Sequence, residues 1–236
     1  MTLRGVPVLI FGGGRGLGRT VALAVAREGA RVAVAARTPA DVDAVAQEAR
    51  AAGAEASLAL VADARRERDV EEAFNALGAW GPPAVVINTV GESLVKPFLE
   101  CTLEDWHRVI DGNLTPAFLI SKAALPRMSA GGGGRLVHVS SRVAIAGAEV
   151  AAAYGAAKGG VVALGRSLAL VGRSAGVTVD VISPAPMDTP MRWAATPDFD
   201  RARTLPPEAI ADLIVALAKH PAMRLEDGAV PLALRY

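Results

Sequence analysis

The chain has 236 residues, room for one large α/β domain or two small ones. Hydrophobic residues make up 52% and aromatics only 4%, so any core has to come from Ala, Val, Leu and Ile. A net charge of +1 gives no electrostatic case for nucleic acid or an anionic membrane, and a single cysteine, Cys101, excludes an intrachain disulfide framework.

The first strand-like run is "VPVLIF" (6–11). The glycine cluster after it breaks the apolar continuity that a signal helix needs. Later apolar stretches are interrupted by Arg, Asp or Gly well before 18 residues, so no membrane span is expected. With one cysteine, these features predict a soluble cytoplasmic protein.

"FGGGRGLGRT" (11–20) follows and opens a helix over 17–29. Glycines at 12, 16 and 18 let the chain turn sharply, approach a diphosphate and pack helix against strand. The helix N-terminus then offers free N–H groups to an anion. A flexible turn would also be glycine-rich, but its place between a strand and a helix favours a nucleotide site. The second strand, "RVAVAA" (31–36), ends on Ala36-Arg37, where an NAD-binding protein tends to carry an acid for the ribose hydroxyls. Arg37 and Arg15, a cation inside the glycine loop, suit a 2′-phosphate and point to NADP(H). Solvated surface arginines, in a chain with 21 Arg and 4 Lys, are the other reading.

Beyond them come a helix over 39–52, "ASLALV" (56–61), a helix over 67–78 and "AVVIN" (84–88). Then follow a helix over 103–129, the turn "AGGGGRL" (130–136), "RLVHVS" (135–140), a helix over 151–173 and "VTVDVI" (177–182). A loop (188–207), a helix over 207–219 and "AVPLAL" (229–234) end the series. The strands are almost continuously apolar, as strands buried on both faces should be. Their alternation with helices predicts a single Rossmann-type domain over 1–236: a doubly wound sheet of seven parallel strands with helices on both faces. A flavodoxin-like sheet would alternate too, but needs only about five strands.

"YGAAK" (154–158) stacks a phenol and an ammonium one helical turn apart. The pair could transfer a proton or could be two residues of an alanine-rich helix, and spacing alone leaves both open. His107, His138 and His220 share no metal-ligand spacing with Cys101 or with acidic clusters. His138, in an apolar strand, reads as a hydrogen-bonded core residue.

Taken together, the sequence resembles the short-chain dehydrogenase/reductase family over essentially its full length. Gly12, Gly16 and Gly18 match its Gly-x-x-x-Gly-x-Gly loop, and Asp63 in "LVADA" stands where its Asp meets the adenine. "INTVG" (87–91) stands for its Asn-Asn-Ala-Gly, and Asn113 in "DGNLTPAFL" has the central-helix position. Ser141 in "VHVSSRVA" lies thirteen residues before Tyr154 of the Tyr-x-x-x-Lys motif, and "SPAPMDTPM" (183–191) resembles the nicotinamide-holding segment. Departures are Phe11 for Thr, Thr89-Val90 for Asn-Ala, Asp180 for Asn and Ala185 for Gly. They bear on cofactor pose and affinity, and the Phe11 and Thr89 segments, neighbours in the family fold, are expected to have repacked together.

The resemblance implies a nicotinamide-dependent oxidoreductase with Tyr154 as general acid/base. Lys158 would favour the phenolate by Coulomb attraction and bond the nicotinamide ribose. Ser141 would hold the substrate oxygen, and Asn113 would anchor a water linking Lys158 to solvent. Cofactor contacts are implied for Gly12, Arg15, Gly16, Leu17, Gly18, Arg37, Asp63, Ala64, Asn88, Val90, Tyr154, Lys158, Pro184, Met187 and Thr189. Residues 188–207 would form the substrate loop, where Met191, Trp193 and Phe199 either line a pocket or pack back onto the protein. The helix over 151–173 would form a dimer face, giving a homodimer or homotetramer.

An NADPH-dependent reductase of a ketone or aldehyde is therefore the leading expectation. Its alternatives are a 3-oxoacyl-thioester (acyl carrier protein) reductase, disfavoured by scattered Arg127, Arg135, Arg166 and Arg173, and an NADP(H)-sensing regulator without turnover.

Overall fold

A computed structural model describes residues 2–220 and 223, and the backbone of 229–232. Strands β1 (Pro7–Phe11), β2 (Arg31–Ala36), β3 (Ala56–Val61), β4 (Val85–Asn88), β5 (Gly134–Val139) and β6 (Val177–Pro184) form one parallel sheet in the order β3-β2-β1-β4-β5-β6. The backbone run Ala229–Leu232 pairs along the outer side of β6 as β7. Residues 233 and 234 of the last expected strand lie outside the described residues. The chain winds outward from β1 to β3, then returns to the other side of β1 to place β4. That reversal opens a crevice at the carboxyl ends of β1 and β4, where α/β sheets bind ligands.

The strands are apolar throughout because both faces are covered. Val8, Ile10, Val32, Val34, Val85 and Ile87 point to one face, against α1 (Gly16–Arg27), α2 (Pro39–Ala52) and α8 (Pro207–Lys219). Leu9, Phe11, Ala33, Ala35 and Val86 point to the other, against α3 (Glu67–Asn75) and α4 (Leu103–Ala130). Alternation in space thus replaces alternation in polarity. Helix α6 (Ala152–Ser174) packs on α4 and β6 through Val161, Val162, Ala117 and Val181. A Cβ on its Gly165 would lie 2.1 Å from Val181 Cγ2, so the close approach of α6 to β6 offsets the helix-weakening effect of that glycine.

Two expected boundaries move. The helix expected to reach residue 78 ends at Asn75, and the chain continues as a 3-10 turn, Gly78–Trp80, with Gly78 and Gly81 at φ 47° and 75°. The loop 188–207 contains a short helix α7 (Pro190–Ala195), begun by the Thr189 cap with Pro190 at its first position, and a 3-10 turn Arg201–Arg203 capped by Asp200. A second short helix, α5 (Val143–Ala146), follows β5.

Arg135 is not part of a surface patch. It is 3% exposed and pairs with Asp180, 1% exposed, on the neighbouring strand β6. Its guanidinium also donates to the carbonyls of His220 and Met223, tying the chain beyond α8 to the sheet. Asp180 therefore has a structural partner that accounts for its presence in an otherwise apolar strand.

Truncating one member of such a pair strands a buried charge. Asp180→Ala is expected to lose roughly 3–5 kcal/mol of stability. The double change Arg135→Met with Asp180→Leu should lose less than either single change. Urea unfolding of Asp180→Ala, Arg135→Met, Asp180→Leu and the double variant checks this, and single variants within about 1 kcal/mol of the parent would contradict it.

Candidate functional site

The crevice begins at the glycine turn after β1. Gly12 has φ 79°, and a Cβ at Gly18 would lie 2.2 Å from the Gly12 carbonyl oxygen, so only hydrogen fits where α1 crosses the turn. Arg15 precedes α1 in extended geometry, and no side chain caps the helix. Its first-turn N–H groups thus point into the crevice with no side-chain acceptor, a preformed anion site. Phe11 and Thr89 meet as expected from their shared departure: Thr89 Oγ1 and its backbone N–H both donate to the Phe11 carbonyl, each at 2.9 Å. The Phe11 ring packs against Phe74.

At one end of the crevice stand Arg15, Arg37, Asp41, Asp63, Ala64 and Arg65. Arg65 grips Asp63, with Nε 2.9 Å from Oδ1 and Nη2 2.6 Å from Oδ2. That bond holds the Asp63 carboxyl below its ordinary pKa, with a smaller pull from Arg37. Asp63 and Arg65 largely neutralise each other, leaving Arg15 and Arg37 against the single carboxylate of Asp41. Sequence reading missed Asp41 and Arg65 because neither falls in a motif; the fold alone brings α2 and the end of β3 to the crevice.

At the other end, Tyr154 and Lys158 rise from α6 into the space beside β4 and β5. The Lys158 ammonium is buried, donating to the Val139 carbonyl at 3.0 Å and the Val90 carbonyl at 3.4 Å. Burial lowers its pKa to about 8. A Cβ on Gly91 would lie 3.1 Å from Lys158 Nζ and 3.0 Å from Asn113 Oδ1, so this glycine lets the two groups converge. Asn113 donates to the carbonyls of Glu92 and Val109 and accepts from the Glu92 N–H. One Oδ1 lone pair remains for a water, while the rest of the amide clamps the loop after β4.

The Tyr154 phenol stands next to the Ser141 hydroxyl, which accepts from the Val143 N–H at 3.3 Å. Burial raises the Tyr154 pKa; the Ser141 bond and the charge of Arg192 pull it down. Lys158 Nζ sits over the Tyr154 ring, 5.9 Å from its centre, and the charge of Arg192 reaches the phenol as well. Ser140, next in sequence to Ser141, serves the scaffold instead. Its hydroxyl donates to the Lys158 carbonyl at 2.8 Å and fixes α6 to the end of β5.

Gly12, Gly16, Leu17, Gly18, Val90, Met187 and Thr189 line the crevice with these groups, whereas Asn88 and Pro184 stand behind its wall. Asn88 accepts from the Val90 N–H and bonds His138 Nδ1 at 3.1 Å. Ser121 gives its proton to the Ala117 carbonyl, so its oxygen accepts from His138 Nε2. His138 is then the neutral Nε2–H tautomer, consistent with burial lowering its pKa to about 4. In the loop over the crevice Met191 lines the space. Trp193 instead donates to Asp188 at 2.6 Å, and Phe199 lies against Arg192 and Arg203.

A model of the short chain dehydrogenase family matches residues 7–199. An uncharacterized oxidoreductase of Mycobacterium tuberculosis is 38% identical over 151 residues, 64% of this chain and 57% of its own. A 3-oxoacyl-[acyl-carrier-protein] reductase of Synechocystis is 34% identical over 227 residues, covering 93% of this chain and 92% of its own. Among solved structures, an actinorhodin polyketide ketoreductase variant with NADPH superposes with a TM-score of 0.88 at 28% identity, covering 98% of this chain and 97% of that one.

The buried ammonium has a measurable consequence. The folded protein holds Lys158 at about 8 against an ordinary 10.5, so the unfolded chain binds more protons between those values and stability rises with pH across that window. The stability of the parent minus that of Lys158→Met should grow by roughly 1 kcal/mol per pH unit through the window. Urea titrations at several pH values test this; parallel curves for the two proteins would contradict it.

Proposed function

This chain belongs to the short-chain dehydrogenase/reductase family, whose members act on carbonyl and alcohol groups with NAD(P)H, and from that premise we propose that it is an NADPH-dependent reductase of a ketone or aldehyde, with Tyr154 as proton donor. The observation that carries the proposal is the placement of Tyr154 and the buried Lys158, one helical turn apart on α6, in a crevice continuous with the glycine turn.

The residues fit a dinucleotide. Gly12 and Gly18 have no room for a Cβ, and the uncapped start of α1 faces the crevice. Gly12, Arg15, Gly16, Leu17 and Gly18 would hold the diphosphate, and Arg15 with Arg37 the 2′-phosphate. Asp63 and Ala64 would border the adenine. Val90, Met187, Thr189, Tyr154 and Lys158 would border the nicotinamide end, with Asn88 and Pro184 supporting that wall from behind. When bound, the reduced nicotinamide supplies the hydride.

The protein's own residues supply the rest. The Ser141 hydroxyl fixes the carbonyl oxygen, and Tyr154 gives that oxygen its proton as the carbon is reduced. Its raised pKa keeps the proton in place until then. Lys158, with two of its three N–H groups on backbone carbonyls, keeps a third for the crevice. Returning a proton to Tyr154 is assigned to Lys158 and a water on Asn113. In the reverse direction the same groups remove the alcohol proton.

The Synechocystis relative's name supports a second reading, a 3-oxoacyl-thioester reductase. Docking of an acidic carrier protein would need a basic patch, but Arg135 is buried on Asp180 and Arg127 is held by Glu71. The retention of Ser141, Tyr154 and Lys158 weighs against a sensor without turnover. No helix among the described residues is long and apolar enough to cross a membrane. A cytoplasmic site of action is part of the reading. So is a homodimer or homotetramer, supported by exposed Leu103 and Phe118 on α4 and Leu170 and Val171 on α6.

The test is kcat/KM with NADPH and with NADH against ketones, aldehydes and 3-oxoacyl thioesters. Two exposed charge-assisted contacts should favour NADPH by roughly 10²-fold. Ala36→Asp with Arg37→Ser should reverse that preference. Equal use of both cofactors by the parent would make Arg15 and Arg37 ordinary surface charges, and no turnover of any carbonyl compound would favour the sensor.

A further inference from the structure

Two polar side chains on the turn after β3, Asp63 and Arg65, line the end of the crevice away from Tyr154. The turn is held from both sides. The Asp63 N–H donates to the Asp69 carboxylate of α3 at 3.0 Å, and the Asp63 carbonyl accepts from the Arg66 N–H at 2.9 Å. The wall beside it is small and apolar, formed by Ala36, Ala62 and Ala64. Asp41 lies toward the glycine turn instead, since a Cβ on Gly14 would stand 2.9 Å from its Cβ. With the diphosphate at the glycine turn and the nicotinamide beside Tyr154, the part of NADPH left for this slot is its purine. Asp63 and Arg65 are then the side chains that can meet the polar edge of the base.

The Asp63 carboxylate is already occupied. Its Oδ1 accepts from the Arg65 backbone N–H at 3.1 Å and from Arg65 Nε at 2.9 Å, and its Oδ2 accepts from Nη2 at 2.6 Å. Both lone pairs of Oδ1 are thereby engaged. Among the described residues, every hydrogen bond of the Arg65 side chain goes to Asp63. A guanidinium has five N–H groups; Nε–H and one on Nη2 are held here, which leaves three donors in a plane fixed by the bidentate grip. The Arg65 side chain is 40% exposed against 16% for Asp63, so the donors, and not the carboxylate, are the outward groups. A free carboxylate would present acceptors to a ligand; this pair presents donors.

The 6-amino group of adenine is a donor and is matched by an acceptor, whereas a 6-oxo group is matched by a donor. We propose that Arg65 sets how the nucleotide base is read: its N–H groups, held in place by Asp63, meet position 6 of the purine. The site therefore does not select the 6-amino group and takes a 6-oxo purine at least as well. This rests on the NADPH reading above and adds to it the residue that sets base selectivity. Affinity for NADPH is then carried by its phosphates, through the glycine turn, Arg15 and Arg37.

The experiment measures Kd by fluorescence titration for NADPH and for its 6-oxo analogue, reduced nicotinamide hypoxanthine dinucleotide phosphate. The proteins are the parent, Arg65→Met, and Arg65→Met combined with Asp63→Asn. The two nucleotides differ only in the base, so the ratio of their affinities isolates its recognition. The parent should bind the analogue at least as tightly as NADPH. Arg65→Met uncovers the Asp63 carboxylate, and the ratio should swing toward NADPH by roughly 10-fold, the effect of one exposed charge-assisted contact. Adding Asp63→Asn should bring the ratio back to within about threefold of unity, because an amide offers both an acceptor and a donor. A parent that favours NADPH by about tenfold or more overturns the proposal. So does Arg65→Met lowering both affinities together with the ratio unmoved, as loss of a structural contact or of a positive charge would do. A swing that survives Asp63→Asn overturns it as well, since the uncovered carboxylate would not be its cause. NADPH bound with an unmoved ratio sinks this inference alone; no binding of either nucleotide by the parent sinks the NADPH reading beneath it.

Discussion

The site depends on one buried ammonium. Lys158 has no ion-pair partner among the described residues, and its charge is tolerated because two backbone carbonyls, at the end of β5 and just beyond β4, hydrogen-bond it. Both carbonyls exist where they do only because adjacent parallel strands end together at the crevice. Ser140 fixes the Lys158 backbone from below, Gly91 leaves space for its Nζ, and Asn113 clamps the loop that supplies one acceptor. Tyr154, one turn earlier on the same helix, inherits its position from that anchorage. The chain Ala117–Ser121–His138–Asn88–Val90 then ties the same loop to the core, through a histidine kept neutral by burial.

The opposite end of the crevice rests on close backbone approach rather than charge. Gly18 crosses the Gly12 carbonyl where no side chain fits, and Thr89 bonds the Phe11 carbonyl to lock the turn against β4. These contacts join the two ends: β4 carries Thr89 toward the anion site and Val90 toward Lys158. A shift of β4 would therefore disturb both halves of the site at once.

The strands were readable because burial on both faces leaves them almost wholly apolar, and residues such as Val8 and Leu9 divide between two cores without a polar signal. The glycine turn and the Tyr154–Lys158 pair were readable because each is a local pattern on one element. What escaped is set by contacts across the chain. Arg135 and Asp180 are 45 residues apart and look like unrelated surface charges until adjacent strands pair them. Gly91 appeared as one letter of a motif, and its role as the gap between Asn113 and Lys158 needs three elements in place. The carbonyl contacts that hold the Lys158 ammonium were not legible, because spacing shows which residues share a helix face but not where a long side chain turns. Arg192, whose charge also reaches the phenol, lies on a loop whose short helix carried no apolar period long enough to read.

The most direct measurement follows the atoms themselves. Parent protein and Tyr154→Phe would be given NADPH deuterated at the transferable position and a ketone that the parent turns over, and the product would be read by mass spectrometry. The account predicts one deuterium on the carbinol carbon with the parent, and formation of that product slowed at least about 10²-fold in the variant while its NADPH affinity is retained. Undiminished deuterium transfer by Tyr154→Phe would contradict it.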